Sequence, residues 1–396
     1  MMAMNPDTLL RGRDHGGWLS LQSAEHTQAR VPLDLLPDGD GLLVSSGGSS
    51  GGRQICLQPW SHLDQSAQAT ACWLEQIGLA PSELFIFNPL PLHHVSGLMP
   101  WWRSRCWAAC HQVLPPPLMK QPRDLLRFCE ELPRWNSTPT VVSLVPTQLH
   151  RLLAHPAGVT WLQAFAVVWV GGAALPEAAV DQARSHGVRL APCYGATETA
   201  AMVTAVPPEQ FLAGEAGCGA PLVDVELKLD SDRALMVRTH RLALARWSER
   251  SPAQLQPLRN QDGWWRSGDA ASLTPALHIQ GRLDEALQSG GETVFPEQLE
   301  ARLMAWVHQH NLAVEALLLV AKPDPEWGEI LVGLVRPSEI ANHAELLEAL
   351  HAQCSAWPAA ERPRRWLICP ELSVGPLGKW QRGRWQAWLN REIFSF

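Results

Sequence analysis

The sequence predicts an α/β fold, a large N-terminal lobe of mostly parallel sheets with helices plus a β-rich subdomain, followed by a small α+β C-terminal lobe. Three observations predict it. Between residues 84 and 192, short apolar runs alternate with segments of helical spacing, the pattern of a mostly parallel sheet flanked by helices. From 217 to 280 the segments become shorter and more strand-like. Residues 297–396 then read as a compact α+β unit.

Taken in order, residues 1–40 are polar with short apolar clusters and carry no clear motif. Gly41 to Val44 reads as a short buried strand running into SSGGSSGGRQ at 45–54. A helix is expected over 61–78, where Leu63, Ala67, Ala71, Leu74 and Ile77 share one face. Leu84 to Phe87 is a strand ending in NPLPLHHVSG. Thr140 to Val145 is the next strand, Pro146 to Leu153 a helix, and Ala164 to Val170 a buried strand ending in Gly171 and Gly172. A helix near 176–186 precedes a strand from Val188 to Pro192 that leads into YGATET. The Ser/Gly run, HHVSG, GGAALP and YGATET thus all follow strands, at the carboxyl ends where ligands of parallel sheets sit. Val223 to Leu227 is strand-like, with GWWRSGD at 263–269 close behind. The last unit contains a helix at 297–309, strands at 313–321 and 329–335, a helix at 344–356 and the loop SVGPLGKWQR. Between the lobes, GRLDEALQSGGETVFPEQLE (281–300) interleaves charges and glycines more densely than a linker needs, and reads as a working hinge.

Composition narrows the function classes. With 396 residues, 46% hydrophobic and 18% charged, the chain is expected to form two or three folded domains. A net charge of −7 argues against a nucleic-acid partner. Nine cysteines without a CxxC pair read as reduced thiols of a cytoplasmic protein. Cys106, Cys110 and His111 are expected to line one face of a core helix rather than bind zinc. The first residues show no apolar core of a signal peptide, and no apolar run reaches the roughly 20 residues that span a bilayer, so no integral membrane segment is expected. There are 19 Trp, which suit core filling, but a single Tyr, Tyr194.

Each motif has two readings. The Ser/Gly run suits a phosphate cradle of backbone N–H groups and hydroxyls, and equally a flexible linker; no Gly-Lys-Ser/Thr closes it as a Walker A loop. YGATET joins an aromatic face, hydroxyls and a carboxylate suited to a base, a phosphate and Mg²⁺, or else is a turn in which Thr197 caps a helix with Glu198 at its positive end. Asp269 of SGD suits ribose hydroxyls or is a β-turn acid, and Lys379 of GKWQR sits on a Gly-rich loop where a solvated lysine is the usual outcome.

The order of SSGGSSGGRQ, LPLHHVSG, YGATET, SGD, GRLDEALQSGGETVFPEQLE and GPLGKWQR resembles the adenylate-forming superfamily of acyl-CoA synthetases, over residues 41–385. LPLHHVSGL and SGGETVFP look most like the o-succinylbenzoate–CoA ligases of menaquinone and phylloquinone biosynthesis. The resemblance implies a carboxylate and CoA as partners and two steps with ATP and Mg²⁺: formation of an acyl-AMP, then of a thioester. It implies Ser49, Ser50 and Gly51 at the β- and γ-phosphates, Tyr194 and Gly195 at adenine, Thr197 at the α-phosphate and Glu198 at Mg²⁺. Asp269 and Arg282 would bind ribose, and Lys379 would bridge the carboxylate and α-phosphate. His94, Ser96 and Gly97, with Gly171, Gly172 and Ala173, would border the acyl group. Asp284 matches the family's hinge, dividing 1–283 from a mobile lobe at 284–396, with Gly290, Gly291 and Glu292 serving the thiol step.

Two departures stand out. Arg53 and Gln54 occupy positions that are usually Pro and Lys, and only 44 residues precede the Ser/Gly run, so part of the first subdomain is expected to be missing. A dicarboxylate substrate needs a second cation, for which Arg103, Arg105 and Arg151 are candidates. An acyl-AMP ligase for another carboxylate or a carrier thiol, and an idle nucleotide-binding homologue, are the competing readings. Self-association stays open.

Overall fold

The structure, a computed structural model, describes residues 6–21, 31–46, 54–135, 137–338, 342–374 and 380–393. The chain divides into two compact units: the first runs through Ile279 apart from Gly268–Ala271, and the second holds Gly268–Ala271 and Gln280 onward.

The first unit opens with α1 (Pro6–His15) and β1 (Trp18–Leu21). β2 (Gly41–Ser46) lies parallel to β1, and β3 (Gln54–Pro59) runs antiparallel to β2 with Gly41 opposite Pro59 and Ser46 opposite Gln54. The Ser/Gly run therefore connects two hairpin strands, which corrects the expected passage from strand to helix. β2 and β3 also belong to a different sheet from β4, β7 and β8, the strands that precede HHVSG and GGAALP and enter YGATET. α2 (Trp60–Gln76) starts directly after Pro59 and buries Leu63, Ala67, Ala71 and Leu74, the face picked out by spacing.

β4 (Phe85–Asn88), α3 (Val95–Trp107) and β5 (Cys110–Val113) follow. α3 stops because Ala108 turns left-handed at φ +54°. Cys106 is thus on the helix while Cys110 and His111 lie on β5, so the expectation of one helical face fails. Burial lowers the His111 pKa to about 4. α4 (Pro122–Glu130), β6 (Thr140–Leu144), α5 (Pro146–Leu153), α6 (Pro156–Gln163), β7 (Val167–Val170), α7 (Glu177–Ser185) and β8 (Leu190–Ala196) complete the alternation. β5, β4, β6, β7 and β8 are parallel neighbours in that order. β9 (Ala201–Ala205), then α8 (Pro208–Leu212) and β10 (Ala220–Pro221), extend the sheet antiparallel to seven strands.

One face of that sheet packs on Phe87, Trp135, Trp161 and Phe165, which meet edge-on at centroid distances of 4.5–5.6 Å. Such pairs add about 0.5–1.5 kcal/mol each beyond simple burial. A second cluster joins Leu9 of α1 and Leu21 of β1 to Trp60, Trp102 and Ala200, so the N-terminal residues form part of the core beside YGATET.

β11 (Glu226–Leu229) and β12 (Ala234–Arg238) are antiparallel. The strand begins after Val225 rather than at Val223, because the Val225 N–H is spent in a turn onto the Leu222 carbonyl. β13 (Ala245–Ser248) and β14 (Ser251–Pro257) join the first sheet in the order β1–β2–β3–β13–β14. The division between the units runs through β15 (Trp265–Ser272) and β16 (His278–Arg282).

The second unit continues with β17 (Leu287–Ser289), β18 (Glu292–Val294), α9 (Pro296–Gln309), β19 (Val314–Asp324), β20 (Gly328–Pro337), α10 (His343–Cys354), β21 (Pro363–Ile368) and α11 (Arg382–Ile393). Its central strands are covered on both faces. Leu317 and Leu319 pack with Leu303 of α9 and Leu350 of α10, while Leu318 and Val320 pack with Trp385 and Leu389 of α11. This is why Ala316 to Ala321 of β19 reads as an unbroken apolar run rather than an alternation.

Candidate active site

β8 does not stop at Pro192 but runs through Tyr194 and Gly195 to Ala196. Gly195 is required there, since a Cβ would stand 2.4 Å from both the Ala201 carbonyl oxygen and the Met202 Cα. The register shifts between Tyr194 and Gly195, a bulge of the kind that re-aims side chains at a sheet's rim. Tyr194 is half-buried, and its N–H donates to the Thr204 hydroxyl at 3.3 Å.

Thr197, Glu198 and Thr199 then make one turn of 3-10 helix. The capping role that the sequence offers Thr197 falls to Thr199, whose hydroxyl accepts the Ala196 N–H at 3.0 Å. Ala200 and Ala201 follow at φ +50° and +83°. A left-handed alanine costs on the order of 1–3 kcal/mol, so its surroundings must hold it. Gln58 Nε2 donates to the carbonyls of Thr197 at 2.7 Å and Glu198 at 3.2 Å, and the Ala243 N–H to that of Glu198 at 2.8 Å. The Ser66 hydroxyl donates to the Ala200 carbonyl at 2.5 Å, and Arg241 to those of Thr199 and Met202.

The Glu198 side chain is 6% exposed, and its Oε1 accepts the Ser46 hydroxyl at 2.9 Å. Burial and then the Glu198 charge hold the neighbouring Cys56 thiol well above the ordinary range. A buried, aimed carboxylate suits Mg²⁺, which is commonly held by one or two carboxylates, waters and substrate phosphates. Among the described residues no three His, Cys, Asp or Glu converge as a cation cage, and a phosphate-bound Mg²⁺ needs none.

The residues expected to border the acyl group lie at the start of α3 and just after β7. His94 precedes α3 and carries the N-cap position, with Ser96 and Gly97 in the first turn. No side chain fits at Gly97: a Cβ would stand 2.2 Å from the Pro91 carbonyl oxygen, and Asn88 Nδ2 holds the Gly97 carbonyl at 2.8 Å. Gly171, Gly172 and Ala173 leave β7, and a Cβ on Gly171 would stand 2.9 Å from the Cys193 carbonyl oxygen. Of the three candidate cations, Arg105 and Arg151 are exposed, whereas Arg103 is only 4% exposed. Its guanidinium lies over the Trp169 ring, 5.5 Å from the centroid. Its Nε and Nη2 have no hydrogen-bond partner among the described residues, and burial lowers its pKa to about 10.

In the second unit, Arg282 at the end of β16 grips Asp284 and reaches Asp269 on β15 at 3.4 Å. Burial works against the Arg282 charge, but Asp284 and Asp269 outweigh it and raise its pKa. Gly290 and Gly291 form the two-residue turn between β17 and β18 at φ +59° and +84°, with Glu292 opening β18. Ser49, Ser50, Gly51 and Lys379 lie outside the described residues. Three positions after Lys379, Arg382 donates to Glu285 at 2.7 Å, to both Glu300 oxygens at 2.8 Å and to the Leu319 carbonyl at 2.9 Å.

Sequence reasoning missed Ser46, Gln58, Ser66, Trp169, Asp224 and Arg241. A Gln inside the apolar stretch ICLQPW was the available signal for Gln58, and the placing of Ser66 three residues after Leu63, on the apolar face of α2, was the signal for Ser66. Ser46 lies within the Ser/Gly run but was not singled out in it, and nothing local marks Trp169, Asp224 and Arg241, whose partners come from distant segments.

Residues 59–240 match the model of a family described as AMP-binding enzyme. The 2-succinylbenzoate–CoA ligase of Salmonella typhimurium is 33% identical over 302 residues, 76% of this chain and 59% of the relative. The chain spans 59% and 60% of the length of the first two curated relatives it matches. Among solved structures, wild-type Escherichia coli MenE with a bound OSB-AMS analogue is 29% identical with a TM-score of 0.61, covering 88% of this chain and 69% of that one. The o-succinylbenzoate CoA synthetase (MenE) of Bacillus subtilis in complex with the acyl-adenylate OSB-AMP has a TM-score of 0.72 at 21% identity, covering 87% and 68%. The latter likeness shows a shared α/β fold.

Proposed function

We propose that this chain, whose residues 59–240 match the family described as AMP-binding enzyme, is an ATP-dependent carboxylate–CoA ligase whose substrate is 2-succinylbenzoate, as in menaquinone or phylloquinone biosynthesis. The observation that carries the substrate is Arg103, a cation buried beside Trp169 with two nitrogens that have no hydrogen-bond partner among the described residues. Such a group is costly unless something pairs with it. The distal carboxylate of a dicarboxylate is a partner of the right charge and shape.

In the first step a carboxylate oxygen attacks the α-phosphorus of ATP, and the bond to pyrophosphate breaks. Thr197 binds the α-phosphate, Tyr194 and Gly195 the adenine, and Ser49, Ser50 and Gly51 the departing phosphates. Glu198 would hold Mg²⁺, which supplies charge neutralisation at the phosphates. Asp269 and Arg282 hold the ribose, and Lys379 stabilises charge between carboxylate and phosphate. In the second step the CoA sulfur attacks the acyl carbonyl and AMP leaves. Asp284 is the pivot of a lobe spanning 284–396 that presents Lys379 in one step and Gly290 to Glu292 in the other. His94 to Gly97 and Gly171 to Ala173 border the acyl group. All nine cysteines are free thiols, which supports a reducing cytoplasmic setting. Among the described residues no helix is long and apolar enough to cross a membrane.

ATP–pyrophosphate exchange with a panel of acids tests the reading. Wild type is expected to exchange with 2-succinylbenzoate in preference to benzoate, and Arg103→Met to lose that preference, at a cost of about 2–5 kcal/mol in binding the diacid. Exchange with benzoate alone would remove the substrate assignment. ATP binding without exchange by any acid would identify an idle nucleotide-binding homologue.

A further inference from the structure

Arg241 lies between β12 and β13 and is fully buried. Its Nη1 donates to the Thr199 carbonyl and its Nη2 to the Met202 carbonyl at 3.0 Å. Its Nε donates to Asp224 Oδ2 at 2.7 Å, and the same oxygen accepts the Thr239 hydroxyl at 3.1 Å. The two carbonyls flank Ala200 and Ala201, the left-handed pair at φ +50° and +83°. L-residues with a Cβ resist that conformation.

Burying a guanidinium carries a large desolvation penalty, and an apolar side chain of similar volume often packs as well or better. What an apolar residue lacks is the planar fork of donors that spans two carbonyls at once. Of the two carbonyls between them, Ser66 fastens that of Ala200 and the Thr199 hydroxyl that of Ala201, while Gln58 holds those of Thr197 and Glu198. The backbone on the C-terminal side of Glu198 is therefore tied carbonyl by carbonyl, with Arg241 holding the two outer ties of the strained pair.

We propose that Arg241 is a positioning residue for Glu198: it keeps Thr199 to Met202 in the left-handed turn that aims the Glu198 carboxylate at the Mg²⁺ of Mg·ATP. This rests on the reading of Glu198 as the Mg²⁺-holding group. Asp224 fixes the guanidinium in plane through Nε and Nη2.

The test is ATP binding by the full chain, titrated calorimetrically in EDTA and at increasing Mg²⁺. Arg241→Met should weaken the Mg²⁺-dependent part of the affinity about 10- to 100-fold and leave binding in EDTA unchanged. Arg241→Lys should be weakened as well, because an ammonium cannot span both carbonyls. Adding Ala200→Gly to Arg241→Met should recover part of the Mg²⁺ response, since glycine adopts positive φ without strain. Wild-type Mg²⁺ dependence in Arg241→Met overturns the proposal, as does equal loss with and without Mg²⁺. If Arg241→Met does not fold, Arg241→Lys decides by the same criteria. A wild type that binds ATP more tightly with Mg²⁺ but exchanges pyrophosphate with no acid defeats the ligase reading and leaves this proposal standing. A wild type indifferent to Mg²⁺ defeats this one.

Discussion

Arg282 holds Asp284 with two prongs, Nε to Oδ1 at 2.9 Å and Nη2 to Oδ2 at 3.1 Å, while its Nη1 faces Asp269 at 3.4 Å. The residues proposed for ribose and the residue proposed as pivot therefore share one charge network. If ribose binds Arg282 as proposed, it would compete for that guanidinium and loosen its grip on Asp284, which would give nucleotide occupancy a route to the proposed pivot.

Asp284→Ala tests that route. The pair is 35% and 41% exposed, so its loss should cost less than about 1 kcal/mol of stability. Single-turnover measurements should instead show the ratio of thioester formation to adenylation changing. An unchanged ratio, alongside an unchanged melting temperature, would remove Asp284 from the pivot.

Around Arg382 the charges are unbalanced, and that predicts a pH dependence of stability. Glu285, Glu297 and Glu300 surround one guanidinium. Burial pushes the Glu297 pKa up to about 7; Arg382 opposes this, and the Glu285 and Glu300 charges add to it. Burial raises Glu300 as well. Because the folded pKa lies above the unfolded one, the native state keeps a proton that the unfolded chain has already released. Stability should therefore fall as pH rises from 4.5 to about 7 and then level off. Glu297→Gln should flatten most of that decline in a series of thermal melts, leaving the share due to Glu300. A variant that tracks wild type throughout would contradict the assignment.

Lys379→Ala should reduce acyl-AMP formation by about 100-fold or more, the scale of losing a charge stabiliser in the transition state. Thioester formation from supplied acyl-AMP should survive. Radiolabelled pyrophosphate exchange and a thiol-release assay read the two steps separately, and equal failure in both would defeat the alternating-lobe reading.

β4, β6, β7 and β8 were legible because each is a short apolar run closed by turn residues, and α2 because its buried face repeats at helical spacing; β5, CHQV, was not. β3 was not legible: QICLQP has no clean alternation, and its second partner, β13, lies far along the chain. The end of α3 was hidden for a different reason. Helices often stop at glycine, but here Ala108 takes the left-handed position, held by N–H bonds to Arg105 and Ser104. In the candidate site, Tyr194 and Glu198 could be read from YGATET, whereas Arg241 could not. Its role exists only because folding brings Thr199, Met202 and Asp224 around it.

Gly291 offers the sharpest test of the thiol step, because its neighbour supplies a built-in control. A Cβ at Gly290 would strike the Trp327 ring at 2.7 Å, whereas nothing lies within 4 Å of one at Gly291. Both sit at positive φ, so any side chain at Gly291 is strained but not crowded. Asn tolerates left-handed backbone better than other side chains. Gly291→Asn should therefore leave the melting temperature nearly unchanged, while Gly291→Trp adds both strain and bulk. If this turn faces the CoA thiol in the second step, adenylation should persist in both variants. Thioester formation should slow in Asn and more severely in Trp. Gly290→Asn, by contrast, should lower stability through the clash with Trp327 before it changes either step selectively. Adenylation and thioester formation falling together in Gly291→Asn, with stability intact, would show that the turn does not serve the thiol step.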